Sequence, residues 1–353
     1  MVASSPASRP AGRCSLGASL ATAILLAGLA MSAQQTPRFT EGVNVARILV
    51  DARVLDDRGN PIRGLEADDF KVRADGKIMP VETATWIGGR GVDRDAVPSA
   101  VVSPDGEDVS TRSQGRLIVF LFQKDLEPSR IVGFMRMLLK SRDLLDTLTS
   151  NDRVAILSFD SRLRIWTDFT NERERLDRVL ARGVLLERPG TTSVSSSPSL
   201  VERLAAESVR RAYGIERALE LIGDALKPLP GSKSLVLVGH GFGRLSASGV
   251  SMEDGYGPAQ RALVASRTSV FSLDVTDADY HSLEAGLQLM AEQTGGFYAR
   301  THIFPDLAMR QLSGALEGYY VLFIEKPDNA RTTHEIVVEL TRRKGRVLAA
   351  AGF

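Results

Sequence analysis

The sequence predicts an α/β fold: a doubly wound, mostly parallel sheet inserted in a small β-sandwich made by the N- and C-terminal strands. Three observations point there. Strand-like segments with tight turns occupy 40–92, strands alternate with helices over 115–316, and the pattern returns to strands over 317–353. Alternating strands and helices imply crossover connections and parallel pairing. Three C-terminal strands make a poor domain alone, so they are expected to pair with the N-terminal ones.

The first strand is signalled by Ile48, Val50, Ala52 and Val54, which alternate with polar neighbours. Asp56-Asp57-Arg58-Gly59-Asn60-Pro61 is turn chemistry. Leu65, Phe70 and Val72 lead to the Ala74-Asp75-Gly76 turn, and 81–86 reads as another strand. A polar, aperiodic linker covers 93–114. The unbroken apolar run Leu117-Ile118-Val119-Phe120-Leu121-Phe122 then suits a strand buried on both faces. The next helix is expected to bury Ile131, Phe134, Met135, Leu138 and Leu139.

Further along, strands are expected at 154–159 and, shorter, at 163–166. Asn171 with Glu174 reads as an N-cap and its N3 partner, opening a helix through Leu180. A polar loop at 187–199 precedes one long helix, 200–226, stopped by Pro228, Pro230 and Gly231. Further strands are predicted at 234–238 and 270–275, a loop at 244–256, and helices at 259–266, 282–293 and 305–316. The closing strands are 319–324, 335–340 and 347–350, with a turn at 326–329.

At 353 residues the chain exceeds one ordinary core, and 25% charged with 43% apolar residues is a globular balance. Fibrous and wholly disordered classes are excluded. Residues 1–33 read as a secretory signal peptide. Arg9 and Arg13 give a basic start, no acidic residue precedes Glu41, 16–29 is an apolar run, and Ser32-Ala33 is a small-residue exit. An uncleaved anchor is the rival reading. The expected location is outside the cytoplasm: periplasmic, cell-surface or extracellular, with no transmembrane segment in the mature chain.

The single cysteine, Cys14, would leave with that segment, which excludes disulfides, cysteine nucleophiles and Cys-based zinc sites. Losing Arg9 and Arg13 lowers the formal charge two units from +1, and nothing in that balance points to nucleic acid.

A set of segments in this order resembles the von Willebrand factor type A-related proteins described mainly from Acidobacteria. They are Val54 through Pro61 with Gly64-Leu65, Asp69-Phe70, Asp75-Gly76, Asn151-Asp152-Arg153-Val154-Ala155 with Ser158-Phe159, Phe169-Thr170, Thr294-Gly295-Gly296 and Tyr319-Tyr320-Val321-Leu322. The resemblance runs from Arg47 to the C-terminus and implies a type A domain flanked by β-structure.

It also implies a Mg²⁺ site at the carboxyl edge of the sheet, built from Asp-x-Ser-x-Ser after the first strand, a Thr on a second loop and an Asp on a third. Here Gln123, Asp125 and Glu127 take the first set, Thr191 or Thr192 the second, and His240 stands in the Asp position. Mg²⁺ wants hard oxygen ligands, which an imidazole is not. The expectation is therefore a degenerate, metal-free site with no cofactor, whose loops bind a protein partner. A rearranged cation site of Asp125, Glu127 and Thr191 is the alternative.

Rival chemistries find little support. Gly239-His240-Gly241-Phe242-Gly243 has the spacing of a hydrolase elbow but glycine at the nucleophile position. As a phosphate cradle it is followed by a loop rather than a helix. His281, His302 and His334 read as scattered surface or helix-end residues, and Asp274 and Asp277 as solvated carboxylates after the fifth strand. No catalytic residue is assigned. The expected function is a non-enzymatic binding protein acting through its rim loops, the alternative an assembly factor acting through β-strand edges.

Overall fold

The computed structural model describes residues 47–88, 115–190, 198–246, 249–325 and 334–352. The expected signal peptide (1–33), the linker (93–114), Thr191, Thr192 and the turn at 326–329 lie outside the described residues.

Four strands come first: β1 (Arg47–Leu55), β2 (Phe70–Ala74), β3 (Lys77–Met79) and β4 (Val81–Gly88). The central segment then runs β5 (Leu117–Gln123), α1 (Pro128–Leu145), β6 (Arg153–Phe159), β7 (Leu163–Thr170), α2 (Arg173–Arg178) and a one-turn α3 (Val184–Leu186). It continues through α4 (Ala206–Arg210), α5 (Ile215–Leu226), β8 (Lys233–Gly239) and a small hairpin of β9 (Arg244–Ser246) and β10 (Gly249–Ser251). Then come α6 (Tyr256–Ala265), β11 (Thr268–Asp274), α7 (Glu284–Gln293), β12 (Tyr298–Arg300) and α8 (Pro305–Glu317). Three strands close the chain: β13 (Gly318–Glu325), β14 (Ile336–Leu340) and β15 (Arg346–Ala349).

The central sheet has the order β12-β11-β8-β5-β6-β7, with every pair parallel except β6 and β7. Only residues 160–162 separate β6 from β7, too few for a crossover, so the pair must be an antiparallel hairpin. The strand expected to end at Trp166 therefore continues to Thr170.

All seven residues of β5 are buried, and their alternation feeds two cores. Leu117, Val119 and Leu121 join α5, α6 and α7 on one face, while Ile118, Phe120 and Phe122 join α1 and α8 on the other. Burying about 25 cal/mol per Å² of apolar surface on both faces is what holds such a sheet.

The terminal strands pair across the central segment. The order β15-β1-β13-β4 makes one antiparallel sheet and β14-β2-β3 another. Val50, Ala52, Val54, Phe70, Val72, Tyr320, Leu322 and Ile336 form one apolar cluster between them. The Tyr320 hydroxyl donates to Ile62 O and accepts from Leu65 N, so a large buried ring keeps its polar end satisfied. Strand β1 is also tied to the amino edge of the central sheet. Buried Arg53 donates to Ala315 O and to the hydroxyls of Ser232, Ser234 and Ser269, and Asp51 pairs with Arg267.

Several local expectations are corrected. Met135 and Leu139 are exposed, and Met137 is buried in their place, because the inward face of α1 is Phe134, Met137, Leu138, Ser141, Leu144 and Leu145. Asn171 does not cap α2: its amide donates to Ser150 O, and Glu172 stands at the cap. The single helix expected over 200–226 is broken at Gly214, whose extended backbone starts α5 afresh. Residues expected as loop at 244–256 include the β9–β10 hairpin, and the short edge strand β12 carries no periodic signal.

Candidate functional site

Parallel pairing brings the carboxyl ends of β5, β6, β8, β11 and β12 to one edge. Connections leave β5 toward β6 on one side and return to β8 on the other, so the crevice lies between β5 and β8, where ligands bind in open α/β sheets. Pro128 opens α1 directly after the β5 loop, at a helix position where a missing N–H costs nothing.

Gln123 sits buried at the end of β5, and its amide bridges to the β8 loop. Oε1 accepts from His240 N (3.1 Å) and Gly241 N (3.2 Å), and Nε2 donates to Gly241 O (2.8 Å). The side chain thus staples the β5 and β8 loops together. Two glycines make that possible. A Cβ at position 239 would lie 2.5 Å from Gln123 Oε1, and Gly241 has φ +105° with Leu283 O 2.2 Å from where a Cβ would stand. The glycine-rich turn after β8 is thus a close-packed backbone crossing rather than a hydrolase elbow. Gln123→Ala is expected to lower stability by about 2 kcal/mol, since it leaves buried backbone donors unpaired. Urea unfolding measures this, and a loss within error would show that water replaces the amide.

Asp125 and Glu127 face one guanidinium. Arg130 Nη1 binds Asp125 Oδ2 in a short contact and lies 3.1 Å from Glu127 Oε2. Burial alone would raise the Asp125 pKa, but hydrogen bonds from Glu127 N and Arg130, with the neighbouring positive charge, hold it below the usual carboxylate range. His240 lies 3.9 Å from Asp125, yet burial, aided by Arg130, pushes its imidazole down to about 4. That contact is therefore no ion pair near neutrality: burial first, and then the Arg130 charge, keep the imidazole neutral.

A Mg²⁺ ion at this position does not fit the donor set. Gln123 has no free oxygen, Arg130 fills the space between the carboxylates with positive charge, and His240 offers nitrogen. Thr191 and Thr192 lie outside the described residues.

A second cluster on the same edge escapes the sequence reading. Asp274, the last residue of β11, is not solvated as expected but 1% exposed. Its Oδ2 accepts from Tyr298 Oη (2.8 Å) and lies 2.6 Å from His281 Nε2, while Oδ1 accepts from Thr276 N. Tyr298 Oη is also 3.2 Å from Glu284, which Arg300 grips from Nε and Nη2. Burial first, then the Asp274 charge, keeps the Tyr298 phenol protonated far above its ordinary range. The available signal is His281-x-x-Glu284, two donors one helical turn apart, seven residues after a strand-end Asp.

Asp277 is exposed. His302 is largely buried, and His334 is fully buried with Nδ1 2.8 Å from Asp75. Neither is a surface residue.

No protein-family model and no curated protein matches the chain. Solved structures do. The conserved protein BatB from Bacteroides thetaiotaomicron is 15% identical over 57% of this chain and 97% of its own, with a TM-score of 0.37. A von Willebrand factor type A protein from Catenulispora acidiphila is 10% identical over 87% and 74%, with a TM-score of 0.41. An aerotolerance-related membrane protein from Bacteroides fragilis is 17% identical over 57% and 98%, with a TM-score of 0.37. Among the described residues no helix is long and apolar enough to cross a membrane. At this distance the neighbours carry no argument, and the chemistry of the rim rests on its own residues.

Proposed function

We propose that this chain is an exported, non-enzymatic binding protein of the von Willebrand factor type A kind. On this reading its α/β unit is inserted in a β-sandwich of terminal strands, and the carboxyl-edge rim grips a protein partner without Mg²⁺. The observation that carries the reading is Arg130 seated between Asp125 and Glu127. An internal guanidinium neutralises the carboxylates that a cation-dependent rim would offer to metal, leaving a pre-ordered polar surface with a built-in charge pattern. Fixed charges of this kind give partner selectivity.

The test is capture of partner from the native extracytoplasmic fraction by three baits: the parent, Asp125→Ala/Glu127→Ala, and a β15-edge variant, Val347→Lys. Circular dichroism confirms that each is folded. At least tenfold weaker capture by the rim variant alone, unchanged by Mg²⁺ or EDTA, is expected. Loss confined to Val347→Lys would transfer function to the strand edge, and capture that requires Mg²⁺ would overturn the metal-free rim.

A further inference from the structure

We propose that Asp274, His281 and Glu284 form a binding site for one divalent transition-metal ion, separate from the Asp125–Glu127 position. One donor atom from each residue lies within 4.8 Å of the other two. The three side chains are nearly enclosed, at 1%, 15% and 13% exposure, so an ion there would be screened by protein on most sides with a remaining face for water.

The donor chemistry selects the metal class. Two carboxylate oxygens and one imidazole nitrogen suit Zn²⁺, Co²⁺ or Mn²⁺, whereas Mg²⁺ demands near-octahedral oxygen and tolerates nitrogen poorly. Two of the three donors are held in place by neighbouring groups, as metal ligands commonly are. Thr276 N holds Oδ1 of Asp274 and Tyr298 Oη bridges Asp274 and Glu284, while both Glu284 oxygens accept from Arg300, which must yield one of them to an ion. Glu284 opens α7 and His281 lies three residues before it, so all three donors are anchored by β11 and one helix start.

Two buried polar atoms nearby lack any partner among the described residues. Thr276 is 5% exposed, and its Oγ1 makes no hydrogen bond on the turn that holds Asp274. His240 Nδ1 is likewise buried and unpaired, on the adjacent β8 loop within electrostatic reach of Asp274 and His281.

His281 Nε2 and Asp274 Oδ2 lie 2.6 Å apart, within hydrogen-bond distance. An ion at about 2.0–2.2 Å from each donor replaces that direct contact and moves the two groups apart by less than about 1 Å.

The test uses the full mature chain stripped with chelator and titrated with Co²⁺. Visible d–d absorption saturating at one equivalent is expected, together with a rise in melting temperature of about 5 °C at hundredfold excess of Zn²⁺ over its Kd. Glu284→Gln, which preserves shape, and His281→Ala are each expected to weaken Co²⁺ binding at least tenfold, while His302→Ala leaves it unchanged. Absence of saturable binding overturns the proposal. So does binding that survives both His281→Ala and Glu284→Gln, or binding that His302→Ala abolishes.

Discussion

Asp152→Ala is expected to cost about 3–5 kcal/mol of folding stability, because it strips the carboxylate from a buried ion pair. The Asp152 side chain is fully enclosed. Its oxygens accept from Arg116 N (2.9 Å) and Nε (2.8 Å), from Arg116 Nη2 in a shorter contact, and from Thr149 N and Oγ1. Arg116 in turn donates to Leu316 O, so one carboxylate joins the start of β5, the turn before β6 and the end of α8. Burial pushes the Asp152 pKa up, but these donors outweigh it and hold it below the usual range. A depressed acid stabilises the fold above its unfolded pKa, and the contribution fades as pH falls through the folded value. Asp152→Asn turns an amide N–H toward cationic donors, so it should recover only part of the loss. Urea unfolding with an unchanged m-value is the measurement. A loss under about 1 kcal/mol for the alanine variant would mean that the Arg116 charge finds water instead.

The same residue shows why the fold is legible in the sequence and the site less so. The segments that carry the family resemblance are largely those with structural work to do. Asp152 builds a turn, Asp56 accepts from Arg58 N and Asn60 N while Gly59 takes φ +88°, and Tyr320 closes the apolar cluster of the terminal strands. Such residues leave strong local signals because turn geometry and period-two burial dictate them. Asp125 and Glu127 stand at the carboxyl edge simply because they lie in the loop that leaves β5. Sequence does not reveal who neutralises whom. Arg130 looks like an ordinary helical arginine until α1 folds it back on Asp125, and Tyr298 lies on an edge strand of three residues. The buried face of α1 meets the same limit: Met135 and Leu139 are apolar but exposed, and periodicity alone cannot distinguish an inward stripe from an adjoining outward one.

Between pH 6.5 and pH 4 the protein is expected to lose about 3 kcal/mol of stability through His240 alone. The folded chain holds this imidazole neutral down to about 4 against an ordinary value of 6.5, and each unit of displacement is worth about 1.4 kcal/mol. The sign comes from proton binding: in that window the unfolded chain takes up a proton that the folded chain refuses, so acid favours unfolding. Burial is the main cause and the Arg130 charge the next, opposed by Asp125 and Asp274, while His281 adds to the depression. The carboxylates held below their usual range, Asp125 and Asp152, lose their contributions further into acid. His240→Gln should therefore flatten the stability profile from 6.5 to 4 and leave the steeper fall below it. The imidazole resonance that disappears in His240→Gln should titrate near 4 in the parent. Because Arg130 contributes directly, Arg130→Met should move that titration upward and strengthen the His240–Asp125 attraction. A resonance titrating near 6.5 in the parent would mean that Asp125 engages a protonated His240, and Arg130 could then no longer be the charge that satisfies this carboxylate.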